Sequence, residues 1–161
     1  EYGGKVFASL ENATRPWMGP KFWCPGMRTS QDSNNYKVFR YADAILLMAE
    51  AYCEKQEFDK AVEYLNITRR RAGLSDYVFR TYERLQEEIR NESAREKFGE
   101  FQRKFDLVRW GIWYTAVTEN SDYGTLVNNA LPCHRYYPIP DTQVVYSDYN
   151  LDNSEYAEYG L

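Results

Sequence analysis

Histidine is almost missing from this chain. Among 161 residues there is one, His134, so a Ser-His-Asp or Cys-His mechanism would have to run through that single imidazole, and a solvated or hydrogen-bonded role is the ordinary reading. Cysteine is scarce too: Cys24, Cys53 and Cys133 are too few for a disulfide scaffold and lack the C-x-x-C spacing of zinc or redox sites. Only one bridge could form. Cys53 falls in a helical stretch and reads as a small buried hydrophobe, which leaves Cys24 and Cys133 as the candidate pair in an exported protein. A basic excess is absent as well. With 20 Lys plus Arg against 24 Asp plus Glu, the net charge is -4, which excludes nucleic acid as the natural partner. No apolar run approaches the ~20 residues that span a bilayer. No Gly-rich phosphate loop, metal-spaced cluster or nucleophile elbow occurs, so no metal or cofactor is expected. The chain opens on Glu1-Tyr2-Gly3-Gly4 rather than on Met and a signal sequence, and reads as a mature or truncated chain.

Rings, by contrast, are abundant. The sequence carries 15 Tyr, 8 Phe and 4 Trp within a 43% hydrophobic composition, which argues for a packed core and for some rings facing a ligand or partner. Residues 1–36 are punctuated by Gly3-Gly4, Arg15-Pro16-Trp17, Gly19-Pro20 and Cys24-Pro25-Gly26, which predicts a loop-rich, candidate ligand-facing segment with at most a short strand at Lys5 to Leu10. Residues 37–161 read as a helical domain. Tyr41 to Glu54 lacks Gly and Pro and repeats apolar residues at helical spacing. Lys55-Gln56-Glu57 breaks that pattern, and Phe58 to Ala72 resumes it before Gly73, a residue suited to the left-handed position after a helix. So short a connection predicts an antiparallel hairpin.

The hairpin fits a tetratricopeptide pattern, with Ile45, Met48, Ala49 and Tyr52 in the first helix and Phe58, Ala61 and Leu65 in the second. Ala49 and Ala61 allow close approach of the axes, and the larger side chains fill the surrounding space. One hairpin cannot bury its outer face, and no second copy occurs here, so either other helices cover it or further repeats lie upstream. A third helix is expected from a Thr81 cap through Leu85, Ile89 and Glu92 to Phe98, stopping at Gly99. Phe101, Phe105 and Val108 mark a fourth, ending near Trp110-Gly111. The rest reads as loop, with one turn capped by Asp141. The predicted class is mainly α: a tetratricopeptide-like hairpin plus two further helices, with long irregular loops.

Two sets of residues invite a chemical reading. Glu92 and Glu96 share a helix face at i and i+4, and paired carboxylates are what a glycosidase uses. Both project from one rigid helix, however, whereas acid and nucleophile must flank a sugar bond. With Arg103, Arg109 and Arg95 nearby, a structural ion-pair network pinning the third helix to the fourth is the better reading. Trp17 and Trp23 stand in Pro/Gly-rich loop with Arg15 and Asn34 nearby, either as a platform for the apolar face of a sugar ring or as plugs at the end of the helical layer. Trp110 reads as core, while Trp113, Tyr114 and Tyr123 edge the following loop.

Four ordered blocks resemble the C-terminal region of the SusD/RagB family of outer-membrane nutrient-binding lipoproteins. They are Arg40-Tyr41-Ala42-Asp43 with Ala49-Glu50-Ala51; Ala61 through Tyr64-Leu65-Asn66 to Arg69, Arg71 and Gly73; Glu92, Glu96, Glu100, Arg103, Phe105-Asp106-Leu107 and Arg109-Trp110-Gly111; and Tyr137-Pro138-Ile139-Pro140 with Asn150-Leu151 and Asn153. Ser93 stands where the family usually has Arg, Phe101 where it usually has Gly, and Ser154-Glu155 where Pro-Gly commonly precedes Tyr156. The resemblance implies a fragment of a cell-surface lipoprotein, lipid-anchored through an N-terminus absent from this chain. It also implies non-catalytic capture of oligosaccharide or polysaccharide and delivery to a SusC-like TonB-dependent transporter. A tetratricopeptide adaptor gripping a peptide is the alternative, and the two differ in whether the third and fourth helices cover the Tyr41 to Gly73 hairpin.

Overall fold

Two alanines set the first contact of the fold. In this computed structural model, which describes residues 21, 35 and 37–160, α1 (Tyr41–Glu54) and α2 (Phe58–Arg71) pack as an antiparallel hairpin. Ala49 and Ala61 are both 0% exposed, so the axes meet where side chains are smallest. The turn between them is a Schellman motif: the Glu57 N–H donates to Tyr52 O and the Gln56 N–H to Cys53 O, with Gln56 itself at φ +61°. The same two-bond closure ends α2, where Gly73 takes the left-handed position without strain.

The apolar face left by the hairpin is covered by α3 (Tyr82–Glu96), begun by the Thr81 hydroxyl accepting the Arg84 N–H at 3.3 Å. Leu85 and Ile89 of this helix close a core with Leu46, Ala49, Cys53, Ala61 and Leu65. Each large aliphatic side chain so buried contributes about 1.5–3 kcal/mol. Rings pack beside the turn of the hairpin, Phe58 stacking on Phe79 at 4.6 Å and Tyr52 on Tyr64 at 5.5 Å between centroids. The extended connector from α2 to α3 is tied down by one side chain: Asn66 donates to Tyr77 O at 3.0 Å and accepts the Tyr77 N–H at 2.7 Å. The third helix is two residues shorter than its pattern predicts, because the chain leaves the helical path after Glu96 and turns through Gly99 at φ +78°.

A second, smaller core follows. The fourth expected helix forms as α4 (Arg103–Arg109), closed at Gly111 by another Schellman pair. The stretch read as loop then makes two more helices, α5 (Trp113–Asn120) and α6 (Gly124–Asn129). Neither has a strong local signal: α5 is rich in β-branched residues, and α6 starts on Gly and ends on two Asn. They exist because Trp113, Ala116 and Val117 pack with Leu107 and Ala130, so tertiary burial overrides weak propensity. A 3-10 turn, Pro132–Arg135, carries Cys133 as a buried free thiol rather than as half of the bridge proposed to Cys24, which lies outside the described residues. Then come α7 (Asp141–Tyr146) and α8 (Ser154–Ala157). Asp141 is the first residue inside α7, with Pro140 before it, so it favours the positive helix end without acting as the cap. Asn153 repeats the Asn66 device, accepting the Ile139 N–H at 2.8 Å and donating to Ile139 O at 2.9 Å.

The chain divides into two units, Glu1–Val38 and Phe39–Leu161, and the eight α-helices of the described residues belong to the second. The strand expected at Lys5 to Leu10 lies outside the described residues.

Candidate ligand-binding surface

The carboxylates that first suggested chemistry are held as acceptors by arginines. Glu96 receives Arg40 Nη1 at 2.9 Å and also Arg71, while Glu100 takes the other edge of the Arg40 guanidinium through Nε and Nη2 at 3.1 and 2.7 Å. Burial alone would lower the Arg40 pKa, but the bonds from Glu100 and Glu96 outweigh it and hold it above the ordinary range. Glu92 receives Arg95 Nη2 at 2.7 Å, with Arg69 at 3.8 Å, and Glu88 bridges the same two arginines. The network therefore pins α3 to α2 and to the residue preceding α1, not to α4.

The expected partners of α4 act elsewhere. Arg109 forms a two-pronged pair with Glu50 of α1 at 2.5 and 2.7 Å and a third bond to Asp106, and these raise its pKa against the cost of burial. Trp110 Nε1 donates to the same Glu50 at 2.8 Å. The link between α3 and α4 is instead Lys97–Asp106. Arg103 forms no ion pair among the described residues. It lies 5.4 Å from the Trp110 ring centroid and donates Nη1 to Arg90 O at 3.2 Å.

A cavity of about 500 Å³ opens beside α5 and α6. Trp113 forms its floor, Tyr123 one wall, and Lys104, Thr125, Asn129 and His134 bring polar groups to it. Trp113 is a buried core residue and not the loop-edge ring its sequence position suggests, whereas Tyr123 is 69% exposed. Lys104 Nζ sits 3.8 Å from the Tyr137 ring centroid and 5.7 Å from that of Trp113. His134 Nδ1 accepts the Leu131 N–H at 3.2 Å, which leaves Nε2 to carry the hydrogen and act as a donor. Flat apolar rings flanked by a hydroxyl, an amide, an imidazole N–H and an ammonium suit a ligand that has apolar C–H faces and polar edges. Lys104 and His134 were not foreseen as site residues; their signal, a cation and an imidazole flanking Trp113 and Tyr123, exists only after folding. Trp17, Trp23, Arg15 and Asn34 lie outside the described residues. Among the described residues no group of three or more His, Cys, Asp or Glu is arranged to hold a metal ion.

The sequence profile of the SusD family matches residues 24–156, most of the chain. The chain belongs to the SusD family. A SusD-like protein, P25, of Formosa agariphila is 35% identical over 119 residues, which cover 67% of this chain and 21% of that protein. A solved SusD superfamily protein from Bacteroides vulgatus superposes with a TM-score of 0.61 at 34% identity, covering 68% of this chain and 25% of its own. The chain thus spans about a fifth to a quarter of the length of these relatives. Within the SusD fold the hairpin is not an open groove: α3 occupies its apolar face, and Arg109 and Trp110 tie α4 to Glu50.

Proposed function

We propose that this chain is part of a cell-surface protein that captures glycans without cleaving them and delivers them to a SusC-like TonB-dependent transporter. The whole protein would be lipid-anchored to the outer membrane through a segment preceding this one. No helix among the described residues is long and apolar enough to cross a membrane. Membership of the SusD family supports this reading, and the single structural observation that carries it is the cavity floored by Trp113, walled by Tyr123 and edged by Lys104, Asn129 and His134. Trp17 and Trp23, with Arg15 and Asn34, are a second proposed contact. The ion-paired state of Glu92 and Glu96 favours a structural over a catalytic role for them. The tetratricopeptide adaptor reading is less favoured, because the hairpin face it needs is taken by α3.

A glycan array on the full-length protein identifies the best ligand, and calorimetry then follows Tyr123→Ala, Lys104→Ala, Trp17→Ala and Trp23→Ala. Affinity is expected on the order of micromolar to millimolar, since ring stacking and water-competed hydrogen bonds narrowly exceed the entropy lost. Loss of binding by at least one pair of variants, each melting like wild type, supports the assignment. Unchanged binding in all four, or hydrolysis of the bound glycan, overturns it.

A further inference from the structure

A second cavity, about 580 Å³, lies between α3, α4 and α5 and differs in kind from the first. Its walls bring Gln86, Arg90, Asn91, Arg103 and Asn120 to an apolar base that includes Leu107 and Ile112. Arg90 and Arg103 both lie against Trp110, their guanidinium carbons 5.3 and 5.4 Å from the ring centroid. The arginines of the neighbouring network, Arg40, Arg69, Arg71, Arg95 and Arg109, are each matched to a carboxylate. Among the described residues Arg90 and Arg103 are not. Arg90 Nε is shut off from solvent with no acceptor among the described residues, and an orphaned cationic N–H is costly to bury. Desolvation pushes the Arg103 pKa below its ordinary value; Asp106 pulls the other way, and the like charge of Arg90 adds to the depression. Two carboxylates, Glu83 and Glu87, line the cavity as well and have partners of their own. Glu87 is paired with Arg84 at 3.0 Å, and Glu83 is held by its own amide and by Thr81.

We infer that this cavity binds the carboxylate of an acidic sugar, seated against the Arg90 and Arg103 guanidiniums. A guanidinium presents two parallel N–H groups at the spacing of carboxylate oxygens, and a preformed pair needs only the anion to complete it. Asn91, Asn120 and Gln86 offer amides to the ring hydroxyls, while Leu107 and Ile112 face its C–H groups. The inference rests on the capture reading only for the ligand's being a sugar.

The test titrates sodium D-galacturonate, D-galactose and sodium sulfate into the full chain by calorimetry, with tryptophan fluorescence as a second readout of the guanidinium–Trp110 stack. Galacturonate is expected to bind at least about tenfold more tightly than galactose, and to weaken about tenfold in each of R90Q and R103Q and with added salt. R90Q should melt at or above the wild-type temperature, because it removes an enclosed Nε–H that has no acceptor among the described residues; a merely structural Arg90 would lower it. Equal affinity for galacturonate and galactose, or wild-type binding in both variants, overturns the proposal. Sulfate binding as tightly as galacturonate overturns the sugar assignment. Neutral glycans bound normally by both variants leave the capture reading standing if this one fails, whereas loss of all neutral-glycan binding in Tyr123→Ala and Lys104→Ala bears on the first cavity alone.

Discussion

The hairpin with α3 and the segment from α4 to α8 solve the problem of aromatic and charged excess in opposite ways. In α1–α3 the apolar residues converge on one core, Leu65 and Leu85 fully enclosed, and the buried carboxylates Glu92 and Glu96 beside it are matched by Arg69 and Arg71 of α2 and by Arg40. From α4 onward the buried apolar set shrinks to Leu107, Trp113, Ala130 and Cys133, while Tyr136, Tyr137, Tyr146 and Tyr149 stand out in solvent. Both cavities border this second region. The enclosed core lies where periodicity is strong, and the two cavities proposed for ligand border the region where it is weak, in keeping with the usual division between scaffold and binding surface.

The sharpest way to break that contrast is to cut the two regions with the same scissors. Leu65→Ala should destabilise by about 2–5 kcal/mol in a urea melt, since it opens a cavity at a fully enclosed site, whereas Tyr146→Ala should stay within about 0.5 kcal/mol. Comparable losses would mean the second region is as much core as the first.

Charge gives the next largest effect. Glu96→Gln leaves Arg40 and Arg71 facing a neutral amide at a buried position and should cost about 1–4 kcal/mol. The Arg135–Glu155 pair, about half exposed on both sides, provides the counterpart: Glu155→Gln should cost no more than about 1 kcal/mol. A double-mutant cycle with Arg40→Met separates the pair from the orphaned charge.

These experiments also mark what could be read in advance. The helices α1 to α3 were legible because their apolar spacing, the Thr81 cap and Gly73 all point one way. Helices α5 and α6 were not, because Trp113 and Val117 form a helix only once Leu107 is there to receive them. That Glu92 and Glu96 would be ion-paired was legible, but their partners were not: Arg40 is 56 residues from Glu96 and 60 from Glu100, and a single sequence carries no record of such pairing. Arg103, expected in that network, belongs instead with Arg90 at Trp110.

Two smaller tests refine the contrast. Burial pushes the Cys53 thiol up to about 11 from 9.0. Its folded pKa lies above the unfolded one, so its contribution is intact below pH 9 and declines as pH rises toward 11, where only the unfolded chain is readily ionised. The stability advantage of wild type over Cys53→Ala should therefore shrink by on the order of 1–2 kcal/mol across that window, and the thiol should resist iodoacetamide at pH 8. A constant advantage would refute the burial argument. Smallest is Phe101, which holds φ +60° and is 81% exposed. Phe101→Gly should raise stability by about 0.5–1 kcal/mol in the same melt, as relief of the left-handed strain exceeds the added freedom of the unfolded chain.

The two asparagine clamps have a consequence for how the molecule opens. Asn66 and Asn153 each imitate a neighbouring β-strand, offering one carbonyl and one N–H to the backbone of a residue in an extended segment. The Tyr77 amide hydrogen therefore exchanges with solvent deuterium only when α2 releases Asn66, and a loop residue reports the opening of the scaffold. Ile139 reports in the same way on the short turn that begins α8. Two amides outside any helix thus serve as separate clocks for the two regions, the Tyr77 clock running far slower than that of Ile139.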